Sequence, residues 1–310
     1  MIKTLNDKQA LDKVINSKPM RADVSNYTTI SDGIDDLTKY VAEARASHSK
    51  VVVKHPFLEI NAVLGDLGPG VHVIAGLPGS MKSGYTEQIE LCISDEYKCG
   101  VYSLEMPKRQ KLARYAQHIY GAQVGPKAIN GGIADLVLLQ SASNILKKKK
   151  IYIDDKPENI IELINAMEHL EVKESPDFYS VDFLQVLNPL PGETDYQSIK
   201  NNIKQLYTFA KRHSKPVYVM SQLNRESDKV EYSWKGQKID KTPKMRDLEG
   251  AGTIEQVAQN IMFIQQTEDK NSRRLYVAKN RDGEAPYDFG EVPVTAENMN
   301  FNFSLHPNYK

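Results

Sequence analysis

Residues 76–83 read GLPGSMKS and lie between an apolar stretch and a helical pattern. A glycine-rich turn in this position directs backbone N–H groups at phosphate oxygens, beside the positive end of the helix dipole. Lys82 can neutralise phosphate charge, and the hydroxyl of Ser83 can hold Mg²⁺. The pattern predicts a nucleotide site formed by Gly76, Pro78, Gly79, Ser80, Met81, Lys82 and Ser83.

One residue departs from the strict phosphate-loop pattern, because Met81 occupies the position of its second glycine. If the backbone needs a positive φ at this position, a side chain costs about 1–2 kcal/mol. The segment alone is therefore open to two interpretations, a phosphate loop or a glycine-rich turn of another kind.

Three further polar side chains stand at the ends of apolar stretches that we interpret as strands: Glu105, Asp182 and Gln222. The carboxyl ends of parallel strands meet at one edge of an α/β sheet, where ligands bind. Glu105 can deprotonate a water for attack on a γ-phosphate, and Gln222 can sense that phosphate. Asp182 is a lone charge among β-forming residues, and Mg²⁺ shared with Ser83 would offset its burial. The alternatives are a surface glutamate at position 105 and a structural salt bridge at position 182.

A long polar loop, residues 226–245, contains Trp234 and several lysines. Lysines beside an aromatic ring suit a single-stranded nucleic acid, whose phosphates attract cations and whose bases stack. The candidate DNA-binding residues of this region are Lys235, Lys238, Lys244 and Arg246. A solvated loop without a ligand is the alternative interpretation.

Two cations, Lys279 and Arg281, occupy alternate positions where an apolar strand runs into the turn AKNRDG. If both face outward, they can reach the phosphates of a nucleotide bound by a neighbouring subunit, as an arginine finger does.

The elements that must position these residues follow an α/β pattern, because short apolar runs alternate with helical patterns from residue 71 onward. We predict a covering helix at 195–212, a closing antiparallel pair at 287–289 and 301–305, and strands at 71–75, 101–104, 151–153, 178–184, 217–221, 261–264 and 275–278. Near the start, Ser31 is the expected N-cap of a helix at 32–46 with a narrow apolar stripe. That helix packs on its own core or docks on a neighbouring subunit, and periodicity does not separate the two.

Composition excludes several classes of protein. The 310 residues include forty basic and forty acidic side chains, so the net charge gives no indication of a polyanionic partner. No apolar run approaches the roughly 20 residues of a membrane helix, and the polar start is unlike a secretory signal. Cys92 and Cys99 have neither redox-pair nor zinc-site spacing, and the seven histidines are scattered. We expect a soluble, cytoplasmic protein without membrane contact or a transition-metal site.

The order of the motifs adds a resemblance. The phosphate loop, SLEM, VDFLQ, SQLNR, DLEGAGTIEQ and AKNRDG, taken in this order over residues 57–292, resemble the motor domain of DnaB-type replicative DNA helicases. The resemblance implies an α/β, RecA-like core with a mainly parallel central sheet flanked by helices, after a short N-terminal helical arm. It also implies a hexameric ring that translocates 5′ to 3′ on single-stranded DNA and unwinds duplex, with ATP or another NTP and Mg²⁺.

By this resemblance each motif residue acquires a role. Lys82 and Ser83 bind nucleotide and Mg²⁺, Glu105 is the catalytic base, Asp182 is the Mg²⁺-linked acid, Gln222 is the sensor, Lys279 and Arg281 act in trans, and Gly252 joins the DNA-binding residues. Primase or a helicase loader is the implied further partner.

The chain also departs from the family pattern. Glu249 stands where the family has an arginine that helps to hold DNA, and IEQVAQ lacks two of the acids found there. The family's N-terminal helical domain is expected to be absent, which leaves residues 1–50 as an arm with a linker helix and 51–310 as the RecA-like ATPase domain. Two alternatives stay open: a diverged paralogue that binds DNA or regulates a helicase without hydrolysing ATP, and a RecA-like recombination ATPase that forms filaments.

Overall fold

The structure is a computed structural model that describes residues 30–45, 53–223, 242–295 and 297–309. The chain divides into two compact units, Met1–Val51 and Val52–Lys310. In the first unit, helix α1 (Ile30–Arg45) begins one residue before Ser31, so the prediction that Ser31 is its N-cap was wrong. Four apolar side chains of α1 are exposed at helical spacing, namely Ile30, Ile34, Leu37 and Val41.

The second unit is a sheet with helices. Its helices are α2 (Leu58–Leu64), α3 (Lys82–Ile93), α4 (Lys108–Tyr120), α5 (Pro126–Asn130), α6 (Leu136–Leu146), α7 (Ile160–Glu174), α8 (Asp195–His213) and α9 (Ala251–Val257). Its strands are β1 (Gly70–Gly76), β2 (Cys99–Ser103), β3 (Ile151–Asp154), β4 (Phe178–Asp182), β5 (Pro216–Gln222), β6 (Ala258–Gln266), β7 (Ser272–Asn280), β8 (Tyr287–Thr295) and β9 (Asn300–Phe301).

Within the described residues these strands form one nine-stranded sheet in the order β3-β2-β4-β5-β1-β6-β7-β8-β9. The pairings from β3 to β6 are parallel, and those from β6 to β9 are antiparallel. The prediction of a mainly parallel α/β sheet is therefore confirmed. Strand β1, which leads into the glycine-rich segment, lies at the centre of the order.

The seven strands predicted between residues 71 and 278 are all present. The end of one of them differs from the prediction, and so does the pairing of the two closing segments. Strand β4 ends at Asp182 rather than 184, because the chain turns into a 3-10 segment at Leu184–Val186. The closing pair was wrong in its partners. Residues 287–293 pair with β7, and only the far end of β8 pairs with β9, where Val294 faces Phe301.

The sheet is buried on both faces, as the alternation along β1 shows. Val71 and Val73 belong to one apolar core and Ile74 to the other, because successive strand side chains point to opposite faces. Helices α7 and α8 contribute to the first core, and α2 and α3 to the second. Burial on both faces explains why the parallel strands read as continuous apolar runs.

The local sequence of helix α8 explains where the helix begins and which face it buries. Thr194 and Gln197 form a capping box at its start, and Ile203 and Leu206 are buried against the sheet. The helix runs to His213, one residue past the predicted end.

Strands β1, β2, β4 and β5 end at the same edge of the sheet. In the strand register Ser103 lies opposite Asp182, and Gly76 lies opposite Gln222. The fold therefore brings the polar strand ends, which are far apart in sequence, onto one edge, the carboxyl edge.

Candidate active site

A pocket of about 520 Å³ opens at the carboxyl edge. It collects eight of the residues that the sequence predicted for nucleotide, metal or catalysis, namely Pro78, Gly79, Met81, Lys82, Ser83, Glu105, Asp182 and Gln222. Its volume lies in the range of small-molecule sites. These residues come from the ends of β1, β2, β4 and β5 and the start of α3, so the parallel topology alone brings them together.

The glycine-rich segment has a constrained backbone at Met81, which directly precedes α3. Met81 has φ 72° and ψ 28°, the left-handed conformation that favours glycine. The side chain is half-buried and packs against the core that contains Tyr85 and Ile89. The loop therefore keeps the backbone path of a glycine at this position, and the packing of the methionine side chain partly offsets the cost.

Lys82 lies at the first position of α3 with its ammonium directed back into the loop. Its Nζ donates to the carbonyl oxygens of Gly76 at 2.8 Å and Leu77 at 3.1 Å. Burial lowers the pKa of Lys82, whereas the carboxylates of Asp182 and Glu105 act to raise it. Two carbonyl oxygens thus hold the Lys82 ammonium inside the loop. An anionic ligand bound there would compete with these oxygens for the ammonium.

Asp182 is the least exposed charged residue of the pocket lining, with only 2% of its surface exposed. Burial raises the pKa of its carboxyl, although Lys111 and a hydrogen bond from Ser83 act to lower it. Its Oδ2 atom has no hydrogen-bond partner among the described residues. An orphaned, buried carboxylate oxygen beside a hydroxyl is a fit for Mg²⁺, which binds through one or two protein oxygens plus substrate phosphates.

Glu105 follows β2 and is more exposed than Asp182. Its backbone N–H donates to the carbonyl oxygen of Asp182 at 3.2 Å, which ties the two strand ends together. Partial desolvation in the pocket and the neighbouring Asp182 carboxylate raise the pKa of Glu105. A carboxylate with a raised pKa is better matched to accept a proton from water.

Gln222 ends β5 on the other side of the loop. The next residue, Leu223, donates its N–H to the carbonyl oxygen of Gly76 at 3.4 Å, and Ser221 accepts a bond from Gln185 at 3.0 Å. The first of these bonds joins the end of β5 to the end of β1, where the glycine-rich segment begins.

A buried ionic cluster joins α3 to α4 next to the pocket. Lys111 is fully buried, and its Nζ lies 3.4 Å from Glu87 Oε1 and 3.3 Å from Glu90 Oε2. Arg114, which also lines the pocket, donates to Glu87 at 2.7 Å. The Nε2 atom of His118 lies 3.0 Å from the same carboxylate.

The cluster is nearly balanced in charge. Burial acts to raise the pKa of Glu87, but Lys111, His118 and Arg114 hold it below its usual value. Burial raises the pKa of Glu90. Because α4 begins shortly after Glu105 and α3 begins with Lys82, this cluster links the helix that follows the predicted base to the helix that follows the phosphate loop.

Other predicted residues lie away from the pocket. Lys279 donates to the carbonyl oxygens of Glu255 and Ala258, and Arg281 donates to that of Gln256. These carbonyls belong to the carboxyl end of α9 and the start of β6, at the edge where the parallel strands begin. Their predicted action in trans stays a prediction.

The predicted DNA-binding residues in the described part of the chain also lie outside the pocket lining. Lys244, Arg246 and Gly252 are exposed around the start of α9, and Glu249 is exposed among them. Lys235 and Lys238 lie outside the described residues.

The sequence interpretation missed half of the pocket lining, namely Met106, Gln110, Arg114, Phe183, Lys270, Arg273, Val294 and Met299. Most of these residues belong to elements that carry no phosphate-binding pattern. Within the described ranges, no three His, Cys, Asp or Glu side chains converge as a metal-binding group. In that same part of the chain, no helix is long and apolar enough to cross a membrane.

Comparison with known proteins agrees with this geometry. Residues 53–303 match the sequence profile of the DnaB-like helicase C-terminal domain. A probable plasmid replicative DNA helicase of Chlamydia trachomatis serovar L2 is 29% identical over 198 residues, which cover 63% of this chain and 42% of that protein. Across further replicative helicases the matched share reaches 54%, so the chain spans about half the length of the curated relatives it matches.

Two solved structures share the fold. A separately solved ATPase domain has a TM-score of 0.75 at 22% identity, and the match covers 89% of this chain and 99% of that one. A DnaB-like replicative helicase, described with its interactions with primase, has a TM-score of 0.71 at 22% identity, covering 96% and 75% respectively. The prediction of a RecA-like core is confirmed.

Because Met81 has a left-handed backbone, we expect glycine to be more stabilising than alanine at this position, which is the reverse of the order inside a helix. Met81→Gly should be more stable than Met81→Ala by about 1 kcal/mol, because both lose the side-chain packing and only alanine keeps the strained Cβ. Urea unfolding of the two variants measures the difference. At the exposed position Lys204 in α8, the same pair should show the usual order, with alanine more stable. Alanine being the more stable at both positions would contradict the assigned backbone.

The ionic cluster predicts that replacing Lys111 strongly lowers the free energy of unfolding. Lys111→Met should lower the free energy of unfolding by roughly 3–5 kcal/mol, because Glu87 and Glu90 lose their buried counter-charge. Lys108→Met is the matched control on the same helix, where an exposed pair with Asp155 is worth about 0–1 kcal/mol. Denaturant unfolding compares the two, and equal losses would show that Lys111 does not neutralise the cluster.

Proposed function

Because the chain belongs to the family of DnaB-like helicase C-terminal domains, we propose that it is the motor of an ATP-dependent replicative DNA helicase. In this proposal a hexameric ring encircles single-stranded DNA in the cytoplasm and couples hydrolysis of ATP, or another NTP, to 5′ to 3′ movement and duplex unwinding. The observation that carries it is the pocket in which the phosphate loop, the orphaned Asp182 oxygen and Glu105 converge.

The phosphate end of the substrate would bind the loop. Gly79, Lys82 and Ser83 line the pocket around the start of α3, where a helix leaves its first backbone N–H groups without intrahelical partners. The Lys82 ammonium would exchange its carbonyl partners for phosphate oxygens. Asp182 and Ser83 would hold Mg²⁺. When bound, Mg²⁺ supplies positive charge against the phosphates and the buried carboxylate.

Hydrolysis would use Glu105 as the base. Its carboxylate would accept a proton from the water that attacks the γ-phosphorus, and its raised pKa favours that transfer. The bond between the γ-phosphorus and the bridging oxygen breaks, and the nucleoside diphosphate leaves with that oxygen. Arg114 lies in the same pocket and is held by Glu87, so its cationic side chain stays near the developing negative charge. Gln222 would report the state of the γ-phosphate to the chain that follows β5.

The site would be completed by a second copy of the chain. Lys279 and Arg281 lie at the opposite edge of the sheet, where they can face the pocket of a neighbour but not their own. The exposed apolar stripe on α1 supports oligomerisation, since four apolar side chains at helical spacing need a covering surface. We propose that α1 docks on an adjacent subunit.

DNA would bind through loops near α9. Lys244, Arg246 and Gly252 are exposed there, and Lys235 and Lys238 belong to the preceding segment of the chain. These cations would follow the phosphates, while the exposed acidic residue at position 249 would weaken the contact locally. Primase or a helicase loader is the proposed protein partner, by similarity to the DnaB-like helicase described with primase.

A second candidate function is a paralogue that binds nucleotide or DNA without turnover. Met81 and Glu249 favour it, because each replaces a residue of the family pattern, a glycine of the phosphate loop and an arginine that helps to hold DNA. Retention of Lys82, Ser83 and Glu105 in one pocket favours the motor. Steady-state hydrolysis separates the two candidates.

The motor proposal predicts Mg²⁺-dependent ATP hydrolysis that single-stranded DNA stimulates. Glu105→Gln should lower kcat by about 10²–10⁴-fold through loss of the base, and Lys82→Ala by at least about 10²-fold through loss of phosphate stabilisation. Phosphate release by the full chain, with and without DNA, measures both effects. Glu158→Gln and Lys108→Ala, both at exposed positions, are the controls and should retain activity.

Two results would count against the motor. Turnover that survives Glu105→Gln would move the base elsewhere, and a folded, oligomeric wild-type chain without turnover would favour the paralogue.

A further inference from the structure

The outer end of the buried ionic cluster contains a histidine that the proposed function does not use. His118 lies in the last turn of α4, and its side chain is only 2% exposed. Both of its ring nitrogens have partners. The Nδ1 atom lies 2.6 Å from Oδ1 of Asn300 in β9, and the Nε2 atom lies 3.0 Å from Oε2 of Glu87 in α3. These two partners determine how many protons the ring carries.

The orientation of the Asn300 amide is fixed by a further bond. Its Nδ2 atom lies 3.0 Å from the backbone carbonyl oxygen of His118, and a carbonyl oxygen can only accept a hydrogen bond. The amide nitrogen must therefore face this carbonyl, and the amide oxygen must face the ring. Because an amide oxygen also only accepts, Nδ1 of His118 carries a proton and donates it to Asn300.

The opposite ring nitrogen faces a carboxylate. Burial acts to raise the pKa of Glu87, but Lys111, His118 and Arg114 hold it below its usual value, so this carboxyl is ionised and only accepts. Nε2 of His118 therefore carries a proton as well, and the ring is an imidazolium. Its place in the last turn of α4 suits that charge, since the carboxyl end of a helix favours cations.

The charged groups around this ring come from three elements. Glu87 belongs to α3, and Lys111 and Arg114, which share its carboxylate with His118, belong to α4. Strand β9 offers the neutral amide of Asn300, and the preceding turn carries Glu297, which is exposed to solvent. The only buried charge that His118 contacts directly among the described residues is thus the Glu87 carboxylate.

The Glu87 carboxylate connects the imidazolium to the pocket. Nε of Arg114 donates to Oε1 at 2.7 Å and to Oε2 at 2.9 Å, and Oε2 is also the acceptor of His118. In the part of the chain that the structure describes, the two Nη atoms of Arg114 have no acceptor. Arg114 lines the pocket, so its Nη hydrogens are available to an anionic ligand while Glu87 holds Nε.

An unbroken series of hydrogen bonds therefore runs from β9 to the pocket, through Asn300, His118, Glu87 and Arg114. Glu87 lies one turn after Ser83 on the same face of α3, so the helix sets the place of the carboxylate relative to the phosphate loop. His118 sets its rotation, because it holds one of the two oxygens that receive the Arg114 Nε hydrogen.

We propose that His118 is a positioning residue which, as an imidazolium, orients Glu87 so that Arg114 directs its Nη hydrogens at the γ-phosphate position. This inference rests on the proposed function and adds a residue to it. Loss of the second ring proton as the pH rises leaves a lone pair facing an acceptor on one side of the ring. The carboxylate is then free to rotate, the guanidinium is no longer held in one orientation, and hydrolysis slows.

A similar arrangement elsewhere in the fold provides a matched control. Nε2 of His213, at the end of α8, lies 2.9 Å from Glu168 of α7, and Arg212 donates to the same carboxylate at 2.8 Å. Among the described residues the other ring nitrogen of His213 has no hydrogen-bond partner, so the contacts of this ring do not require a second proton. None of these three residues lines the pocket.

The wild-type chain itself permits the first test. Nitrogen-15 NMR of the full chain, labelled in its histidines, distinguishes protonated from unprotonated ring nitrogens, and His118→Gln identifies the His118 signals by their absence. We expect both nitrogens of His118 to be protonated at neutral pH. The fall of kcat at higher pH should coincide with the loss of that second proton. An unprotonated ring nitrogen at neutral pH, or a kcat that stays constant while His118 titrates, would overturn the inference.

Variants that each keep one of the two ring contacts provide the second test. Asparagine can replace the bond to Asn300, and the longer glutamine can reach Glu87, but neither carries a charge. His118→Asn should lower kcat by roughly 10- to 100-fold, and His118→Gln by less, because only glutamine still holds the carboxylate. The Mg²⁺–ADP dissociation constant, measured by calorimetry, should stay unchanged, since ADP has no γ-phosphate. His213→Asn should keep the wild-type kcat.

A double-mutant cycle shows whether the effect passes through Arg114. In an Arg114→Met background His118→Asn should cause no further loss of kcat, because the guanidinium that it positions is gone. The same fold loss in both backgrounds would assign His118 to another path and overturn the inference. Weaker ADP binding in His118→Asn would do so too, since it would show a general distortion of α3 and the loop.

The same measurements separate the inference from the function beneath it. A folded, oligomeric wild-type chain without turnover would sink the proposed function, and the positioning role with it. Wild-type turnover that His118→Asn leaves unchanged would overturn the positioning role alone.

Discussion

The burial of the Asp182 carboxylate is the constraint on which the rest of the site depends. Asp182 is only 2% exposed, and its Oδ2 has no hydrogen-bond partner in the part of the chain that the structure describes. Burying such a carboxylate is costly unless a ligand completes its contacts. The fold accepts it at the end of a central parallel strand, where Ser83 bonds to it and Lys111 and Arg114 supply positive charge nearby. Those two cations are held in turn by the carboxylates of α3. The phosphate loop, the predicted base and the ionic cluster are thereby built around one buried negative charge.

Much of this arrangement could be predicted from sequence, because it follows from local pattern and one topological rule. Parallel strands place their carboxyl ends at a common edge, so Glu105, Asp182 and Gln222 could be expected near residues 76–83. Met81 was a conditional prediction: a side chain would carry a cost if the backbone needed a positive φ. The structure has φ 72° there, so the loop keeps its path and carries that cost.

The rest could not be predicted, because it depends on contacts between elements distant in sequence. In the sequence, Lys111 is one more charged residue of an amphipathic helix. Only the packing of α4 on α3 shows that its side chain is buried between two glutamates. Arg273 and Arg274 are indistinguishable in sequence until the pairing with β8 gives one of them Asp288. The partners of β8 were misassigned for the same reason, since strand pairing is tertiary information and periodicity is not.

The most direct test of the account is whether Asp182 holds a divalent cation together with nucleotide. Electron paramagnetic resonance can follow Mn²⁺, as a probe for Mg²⁺, titrated into the full chain with a non-hydrolysable ATP analogue, beside Asp182→Asn. Asparagine removes a desolvated charge and should not weaken the fold, which urea unfolding checks. We predict nucleotide-dependent Mn²⁺ binding that Asp182→Asn weakens by at least about tenfold. Equal Mn²⁺ binding by the two proteins would contradict the assignment of the buried carboxylate as the centre of the site.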